Sequence, residues 1–144
     1  TLVCALLLGN QAYLTNVGDS RIYLLREKSI QQLTTDHSLV QQLVTNGQIT
    51  PDEARLHPQR NVILRCLGEK PEVEVDVFTQ DLLPGDRLLL CSDGLTSMLD
   101  DKKIQIITQE SQSPQVACDY LVDTANLAGG EDNISIILIE VILA

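Results

Sequence analysis

Three aspartates stand where a loop meets a predicted strand, and carboxylates placed in this way can bind a metal ion. Their contexts are Gly18-Asp19-Ser20-Arg21, Ser92-Asp93-Gly94 and Gly130-Glu131-Asp132-Asn133. Each aspartate alone is explained by turn chemistry, in which Asp and Gly dominate. If the fold brings the three within roughly 5 Å, each pair repels by about 3 kcal/mol at an effective dielectric near 20, so the cluster needs a cation. Oxygen ligands without His or Cys favour Mg²⁺ or Mn²⁺ over Zn²⁺.

Asp93 follows the most apolar stretch in the middle of the chain. Residues 88–91 read Leu-Leu-Leu-Cys between Pro84-Gly85-Asp86 and Gly94, which predicts a strand buried on both faces. An ionised carboxylate beside a packed interior is costly unless it is paired. Asp93 therefore needs a cation or several hydrogen-bond donors.

The remaining strands surround this one. Residues 2–8, 12–17, 21–25 and 29–33 predict an antiparallel meander, with Gly18-Asp19 as a hairpin turn. Residues 72–78 alternate and predict a half-exposed strand whose acids Glu72, Glu74 and Asp76 face solvent. Residues 134–143 predict a last long strand.

Helices occupy two other parts of the chain. Residues 38 to about 70 form a predicted helical insertion, in which Ser38 with Gln41 and Thr50 with Glu53 resemble capping boxes. Asp100 or Asp101 and Ser113 are N-cap candidates for two later helices. Strands, then helices, then a closing strand predict an α+β domain with largely antiparallel sheet and helices grouped on one side.

Composition limits the function classes. The 144 residues suffice for one domain, and the formal charge of −10 argues against a nucleic-acid partner. The four cysteines form no CxxC pair, so we expect buried thiols in a reducing compartment and a cytoplasmic location. No apolar run is long enough to span a membrane as a helix. Because the chain starts at Thr1, we expect a trimmed segment of a longer protein.

Five motifs together resemble one family, the metal-dependent protein phosphatase 2C family in its bacterial form. They are Gly18-Asp19-Ser20-Arg21, Leu33-Thr34-Thr35-Asp36-His37-Ser38, Asn61-Val62-Ile63-Leu64-Arg65-Cys66-Leu67-Gly68, residues 88–95, and Gly130-Glu131-Asp132-Asn133-Ile134-Ser135. Each motif alone is weak, but their order and spacing are specific, and the resemblance runs over essentially the whole chain.

The resemblance implies an antiparallel β-sandwich flanked by helices, with a two-metal site at one end. Asp93 and Asp132 would bind the core pair of Mn²⁺ or Mg²⁺ ions, and Asp19 would help Asp93 to hold a third, weaker ion. Ser20 and Asn133 would orient these carboxylates. The implied reaction is hydrolysis of phosphoserine and phosphothreonine in proteins by a metal-bound water.

Residues outside this ligand set have expected roles as well. Residues 38–70 match the family's variable flap beside the active site, where His57 is a candidate for substrate contact. Arg21 is expected to pair with nearby acids, and His37 to have a structural role.

The family's other metal motif, an Asp-Gly pair, has no equivalent here, and neither does its phosphate-binding Arg. The chain therefore resembles only the C-terminal two thirds of the catalytic domain, without its first strands. We expect residues 1–144 to be a partial domain with weak or no activity, and no catalytic general acid can be identified. Open sheet edges also predict self-association, or pairing with the N-terminal part.

Two other classes of protein stay open. One is a pseudophosphatase or regulatory binding module that keeps the fold without turnover. The other is a structural domain whose acids are only turn residues.

Overall fold

A computed structural model describes residues 1–142, which form seven strands and five helices. The first strands and helices are β1 (Leu2–Leu8), β2 (Gln11–Val17), β3 (Arg21–Arg26), β4 (Ser29–Gln32), α1 (Leu39–Thr45) and α2 (Pro51–Leu56). They are followed by β5 (Asp76–Asp81), β6 (Arg87–Cys91), α3 (Asp93–Met98), α4 (Asp101–Glu110), α5 (Pro114–Leu127) and β7 (Ile136–Glu140).

The strands form two antiparallel sheets, in the orders β1-β2-β5 and β4-β3-β6-β7. The predicted meander is wrong at one point, because β2 and β3 belong to different sheets. Gly18 and Asp19 carry the chain from one sheet to the other and do not form a hairpin turn. The reason lies in β3, whose two faces are both apolar, so that it requires a layer on each side. A turn signal of two residues does not contain that information.

Two hydrophobic layers hold the sandwich together. The inner layer packs the two sheets against each other, with buried side chains that include Leu14, Ile22 and Leu88. The outer layer packs the four-stranded sheet against α3, α4 and α5, with Leu95 and Leu121 completely buried. Strand β6 contributes to both layers, which explains its unbroken apolar sequence, and the helices lie on one side as predicted.

The predicted helical insertion contains α1 and α2, and both N-caps are where they were predicted. Thr50 with Glu53 forms a complete capping box. Ser38 forms an N-cap in place of the predicted capping box: its side chain accepts a hydrogen bond from Gln41 N–H, whereas the Gln41 side chain donates to Thr45. A short antiparallel bridge between Ser38 and Ile63 closes the base of the insertion. Sequence periodicity did not indicate this pairing. We call residues 38–70 the flap from here on.

Strand β5 differs from its prediction in position and in orientation. It begins at Asp76, and Val77 is 69% exposed, whereas the sequence placed Val77 on the covered face and Asp76 in solvent. Asp76 turns inward because His37 and Arg65 offer it hydrogen bonds. Phe78 lies on the same face as Asp76 and packs in the inner layer, so a strand that covers Phe78 exposes Val77.

Three smaller predictions also change. Helix α3 was not expected, and β7 starts at Ile136 rather than at residue 134. Of the thiols predicted to be buried, Cys91 is buried, Cys66 and Cys118 are half-buried and Cys4 is exposed. The predicted end of that strand at residue 143 lies outside the described residues. In the part of the chain that the structure covers, no helix combines the length and the apolar character needed to cross a bilayer.

Candidate metal and phosphate site

The three predicted metal ligands lie in three different connections. Asp19 lies between β2 and β3 and is 9% exposed. Asp93 is the first residue of α3, directly after β6. Asp132 lies between α5 and β7 and is exposed.

Strand register brings these connections to one end of the four-stranded sheet. In the antiparallel pair of β3 and β6, Arg21 lies opposite Cys91, and in the pair of β6 and β7, Cys91 lies opposite Ile136. Residues just before β3, just after β6 and just before β7 must therefore lie at the same end. This is the convergence that the sequence argument required.

The loop that carries Asp132 is fastened to the end of β6. Ser92 Oγ donates to the main-chain oxygen of Asn133 at 3.0 Å and accepts from Ser135 N–H at 3.0 Å. Gly94 makes this approach sterically feasible, since a Cβ at position 94 would lie 2.4 Å from that Asn133 oxygen. The Asp132 loop is thus held beside the first turn of α3.

Electrostatics link the aspartates in two pairs that share Asp93. Burial raises the pKa of Asp19, and the negative charge of Asp93 raises it further. Burial likewise raises the pKa of Asp93, and the charge of Asp132 adds to that rise. Carboxylates whose proximity disfavours ionisation are stabilised by a cation between them.

The fit to a metal ion is therefore partial. Within residues 1–142, no group of three or more His, Cys, Asp or Glu side chains is close enough together to hold a metal ion. The available donors around Asp93 are carboxylate oxygens, which suit Mg²⁺ or Mn²⁺. These residues can supply part of a coordination sphere.

A cleft of about 600 Å³ opens beside Asp19 and Asp93. Its other walls come from the flap, from β3, β4 and Asp36, and from α3 and the start of α4. From the flap, the lining includes Val40, Val44, Pro51, Asp52, Ala54, Arg55 and Arg60. Arg55 Nη2 donates to the main-chain oxygen of Thr96 across the cleft at 3.3 Å.

Arg21 pairs with nearby acids as predicted. Its Nε and Nη2 donate to the Asp36 carboxylate at 2.7 to 3.0 Å, and its Nη1 donates to the Tyr23 hydroxyl at 3.0 Å. The Tyr23 hydroxyl donates in turn to Asp101 Oδ1 at 3.0 Å. This network fixes the wall of the cleft between β3 and α4 and leaves Arg21 committed to Asp36.

The remaining predicted residues have contacts of other kinds. Ser20 Oγ lies 2.9 Å from Thr1 Oγ1, and Asn133 donates its main-chain N–H to Asp132 Oδ1 at 2.6 Å. His57 ends α2, where its Nδ1 accepts from Gln59 N–H at 3.1 Å. Of residues 1–142, those that line the cleft do not include His57. The predicted roles of Ser20, Asn133 and His57 stay predictions.

Sequence reasoning missed three residues of this site. Asp36 belongs to a recognised motif but was given no role. Arg55 is a cation on the flap of an acidic chain, and its charge could have marked it in the sequence as a candidate for binding an anionic substrate. Gly94 gave no such signal, because its importance depends on contact with a loop about forty residues away.

Comparison with known proteins identifies the family. The family model described as Stage II sporulation protein E (SpoIIE) matches residues 1–142. The chain belongs to the SpoIIE/PP2C-type phosphatase family. It is 44% identical over 140 residues to the serine/threonine phosphatase stp of Listeria welshimeri, covering 97% of this chain and 56% of that protein.

Solved phosphatases of the SpoIIE/PP2C type share the fold. The serine/threonine phosphatase PstP/Ppp of Mycobacterium tuberculosis superposes with a TM-score of 0.93 at 38% identity, covering 98% of this chain and 59% of that one. A PstP catalytic domain in complex with two manganese ions gives a TM-score of 0.87 at 37% identity, covering 97% and 57%. The chain thus spans little more than half the length of the relatives it matches.

Proposed function

We propose that this chain is part of a metal-dependent phosphatase domain that hydrolyses phosphoserine and phosphothreonine in proteins. The observation that carries the proposal is the position of Asp93, which is coupled to Asp19 and to Asp132 at the edge of a cleft. The names of the relatives, which are bacterial serine/threonine phosphatases, support the same reaction.

The proposed ligands are Asp93 and Asp132 for a core pair of Mn²⁺ or Mg²⁺ ions, and Asp19 with Asp93 for a third ion. Such ions, when bound, activate water and neutralise charge on a phosphoryl group. Ser92 and Gly94 keep the Asp132 loop beside Asp93, so they hold two of the carboxylates at a fixed separation. The flap is the proposed contact surface for the protein substrate, through Arg55 and, by the sequence prediction, through His57.

Residues 1–144 are proposed to be a partial catalytic domain with weak turnover. Two observations support this: within residues 1–142 no three potential ligands gather into one group, and the chain covers 56% of its Listeria relative. An ion held by two carboxylates binds more weakly than one held by a full set of protein ligands.

The proposal is tested with two measurements on the 144-residue chain and its Asp93→Asn variant. The first is release of phosphate from a phosphothreonine peptide with Mn²⁺ or with a chelator, and the second is binding of the same peptide. We expect Mn²⁺-dependent binding that Asp93→Asn removes, and release slower than that of the Listeria phosphatase. Release or binding that is indifferent both to the chelator and to Asp93→Asn would contradict the proposal.

A regulatory binding module without turnover is the second candidate. It is favoured by the finding that, among residues 1–142, no three potential ligands gather into one group. Mn²⁺-dependent binding of the peptide with no release after prolonged incubation would favour this second candidate.

We also propose partners and a location. The outer face of the three-stranded sheet is apolar and exposed, with Leu2, Leu6 and Leu8 on its edge strand. This face supports self-association, or pairing with the N-terminal part of such a domain. The four cysteines are free thiols, which supports a cytoplasmic location.

A further inference from the structure

His37, whose side chain is buried, makes two hydrogen bonds to Gly18, the residue that precedes Asp19. Gly18 N–H donates to His37 Nδ1 at 3.0 Å, and His37 N–H donates to the Gly18 oxygen at 2.9 Å. The His37 side chain is only 8% exposed. One residue therefore binds both main-chain polar groups of Gly18, which fixes the peptide planes on either side of it.

Gly18 depends on this support because its backbone conformation is unusual. Its φ is +115°, a region that residues with a side chain rarely adopt. Asn16 Nδ2 also donates to the Gly18 oxygen, at 3.4 Å. Since Asp19 follows directly, the direction of its carboxylate depends on how Gly18 is held.

The contact with Gly18 selects one form of the imidazole. A main-chain N–H can only donate, so Nδ1 must be unprotonated, and the neutral ring then carries its proton on Nε2. Nε2 lies 3.1 Å from Asp76 Oδ2, which accepts that proton's hydrogen bond. The other neutral tautomer would place two N–H groups face to face at Gly18.

Asp76 is in turn held by the far end of the flap. Arg65 Nη1 donates to Asp76 Oδ1 at 2.9 Å, and Arg65 Nη2 donates to Glu74 at 3.1 Å. Burial alone would raise the pKa of Asp76, but hydrogen bonds from His37 and Arg65 hold it below its ordinary value. Asp76 is thus a charged acceptor shared by the flap and the histidine.

The flap also contacts His37 through the main chain, since Leu64 N–H donates to the His37 oxygen at 2.7 Å. A continuous series of hydrogen bonds runs from Arg65 through Asp76 and His37 to Gly18. Arg65 Nη1 also lies 3.0 Å from His37 Nε2. A guanidinium N–H can only donate, so this approach is not a hydrogen bond when Nε2 carries the proton, and the hydrogen bond of Nε2 goes to Asp76.

We propose that His37 is a positioning residue for Asp19, and that Asp76, itself held by Arg65, keeps the His37 ring in the Nε2-protonated form that binds Gly18. The inference rests on the proposed role of Asp19 as a metal ligand. The inference also gives the flap a role besides substrate contact. Displacement of Arg65 would leave the Asp19 carboxylate, the proposed ligand of the weaker ion, less firmly positioned.

Two substitutions of His37 test its contact with Gly18 and its contact with Asp76 separately. His37→Asn places an oxygen near the Nδ1 position, which can still accept from Gly18, but it loses the contact with Asp76. His37→Gln reaches Asp76 with its terminal amide but leaves Gly18 N–H without an acceptor. Both remove part of a buried network, so thermal stability is measured for both and does not decide the question.

The deciding measurement is Mn²⁺ affinity of the 144-residue chain by calorimetry. We expect His37→Gln to weaken the Mn²⁺ binding that depends on Asp19 by about tenfold, the range seen when groups that orient metal ligands are removed. His37→Asn should stay within about threefold of the native chain on the same grounds. Nitrogen NMR of labelled histidine should show His37 with Nδ1 unprotonated and Nε2 protonated.

The outcomes separate this inference from the proposed function. Mn²⁺ binding that Asp19→Asn weakens but His37→Gln leaves unchanged would overturn the role of His37 alone. A protonated Nδ1 would overturn it as well. If neither the native chain nor the Asp19→Asn variant binds Mn²⁺, the proposed function fails and takes this role with it.

Discussion

Gly94 lies so close to Asn133 that the two segments they belong to are in van der Waals contact through their main chains. A Cβ added at position 94 would lie 2.4 Å from the Asn133 oxygen and 3.3 Å from the Asp132 oxygen. Asp93 and Asp132 are the immediate neighbours of this contact. The absence of a side chain at position 94 therefore sets the separation between two proposed metal ligands.

Replacement of Gly94 by alanine should push the Asp132 loop away from α3. We expect Gly94→Ala to weaken Mn²⁺ binding by about tenfold, because the backbone atoms it meets have no rotamer by which to move aside. Calorimetry measures the affinity, and Ser97→Ala, an exposed change on the same helix, is the control. Equal affinities for Gly94→Ala and Ser97→Ala would show that this contact does not control the site.

The ion pair of Arg26 and Asp86 should stabilise the fold on the side away from the cleft. Asp86 is 2% exposed and accepts from Arg26 Nε at 2.9 Å, from Arg26 Nη2 at 2.7 Å and from Leu83 N–H at 2.7 Å. We expect Asp86→Asn to lower the free energy of unfolding by about 2 kcal/mol at pH 7, as for lost hydrogen bonds to a charged group. Urea unfolding measures it, with Asp123→Asn, an exposed change of equal charge, as the control.

This pair also predicts a pH dependence. The Arg26 guanidinium and Leu83 N–H hold the pKa of Asp86 below its ordinary value of 3.8, against the opposing effect of burial. A lowered pKa in the folded state contributes stability that is present above the unfolded pKa and lost as pH falls through the folded pKa. The native chain should therefore have a higher free energy of unfolding than Asp86→Asn at pH 7, and this difference should disappear below about pH 4. A difference in the free energy of unfolding between the native chain and Asp86→Asn that stays constant from pH 7 to pH 3 would contradict this prediction.

Arg55 should recognise part of the substrate beyond the phosphate group. It lines the cleft with Asp93, and within residues 1–142 its side chain makes one hydrogen bond, to the main-chain oxygen of Thr96, which leaves other N–H donors for a ligand. We expect Arg55→Ala to weaken binding of a phosphothreonine peptide by roughly tenfold, and binding of inorganic phosphate by less than about twofold. Fluorescence anisotropy measures the first and calorimetry the second. Lys28→Ala, which removes the same charge outside the cleft, should change neither, and an equal loss in both variants would contradict a specific role.

The apolar edge strand β1 should cause association at high protein concentration. Leu6 is 55% exposed on this strand. We expect Leu6→Lys to shift the chain toward monomer while changing the free energy of unfolding by less than about 0.5 kcal/mol, as for other surface positions. Sedimentation velocity measures the association state, and Gln112→Lys supplies the same charge at an exposed position in the connection between α4 and α5. A native chain that is monomeric at millimolar concentration would contradict the prediction.

Local signals in the sequence predicted most strands and helices. The run of leucines in β6 and the caps at Thr50 and Ser113 each depend on neighbouring residues alone. These features could be predicted because capping and burial on both faces leave direct marks in the sequence.

Features that depend on distant residues were predicted less well. The change of sheet at Gly18 follows from packing on both sides of β3, and the inward turn of Asp76 follows from Arg65 and His37. Helix α3 escaped prediction because it is six residues long and contains glycine, a poor helix former. The site residues Asp19, Asp93 and Asp132 were singled out because each stands where a loop meets a strand, and by family motifs, whereas the electrostatic effect of Asp93 on Asp19 and of Asp132 on Asp93 required coordinates.

The most direct test of the account is Mn²⁺ binding by Asp93→Asn compared with Asp123→Asn. Both variants remove one negative charge, but Asp93 is coupled to Asp19 and Asp132, whereas Asp123 lies exposed on α5. Calorimetry should show that Asp93→Asn weakens Mn²⁺ binding at least about tenfold and that Asp123→Asn leaves it nearly unchanged. Equal affinities for the two variants would show that the aspartates do not form a metal site.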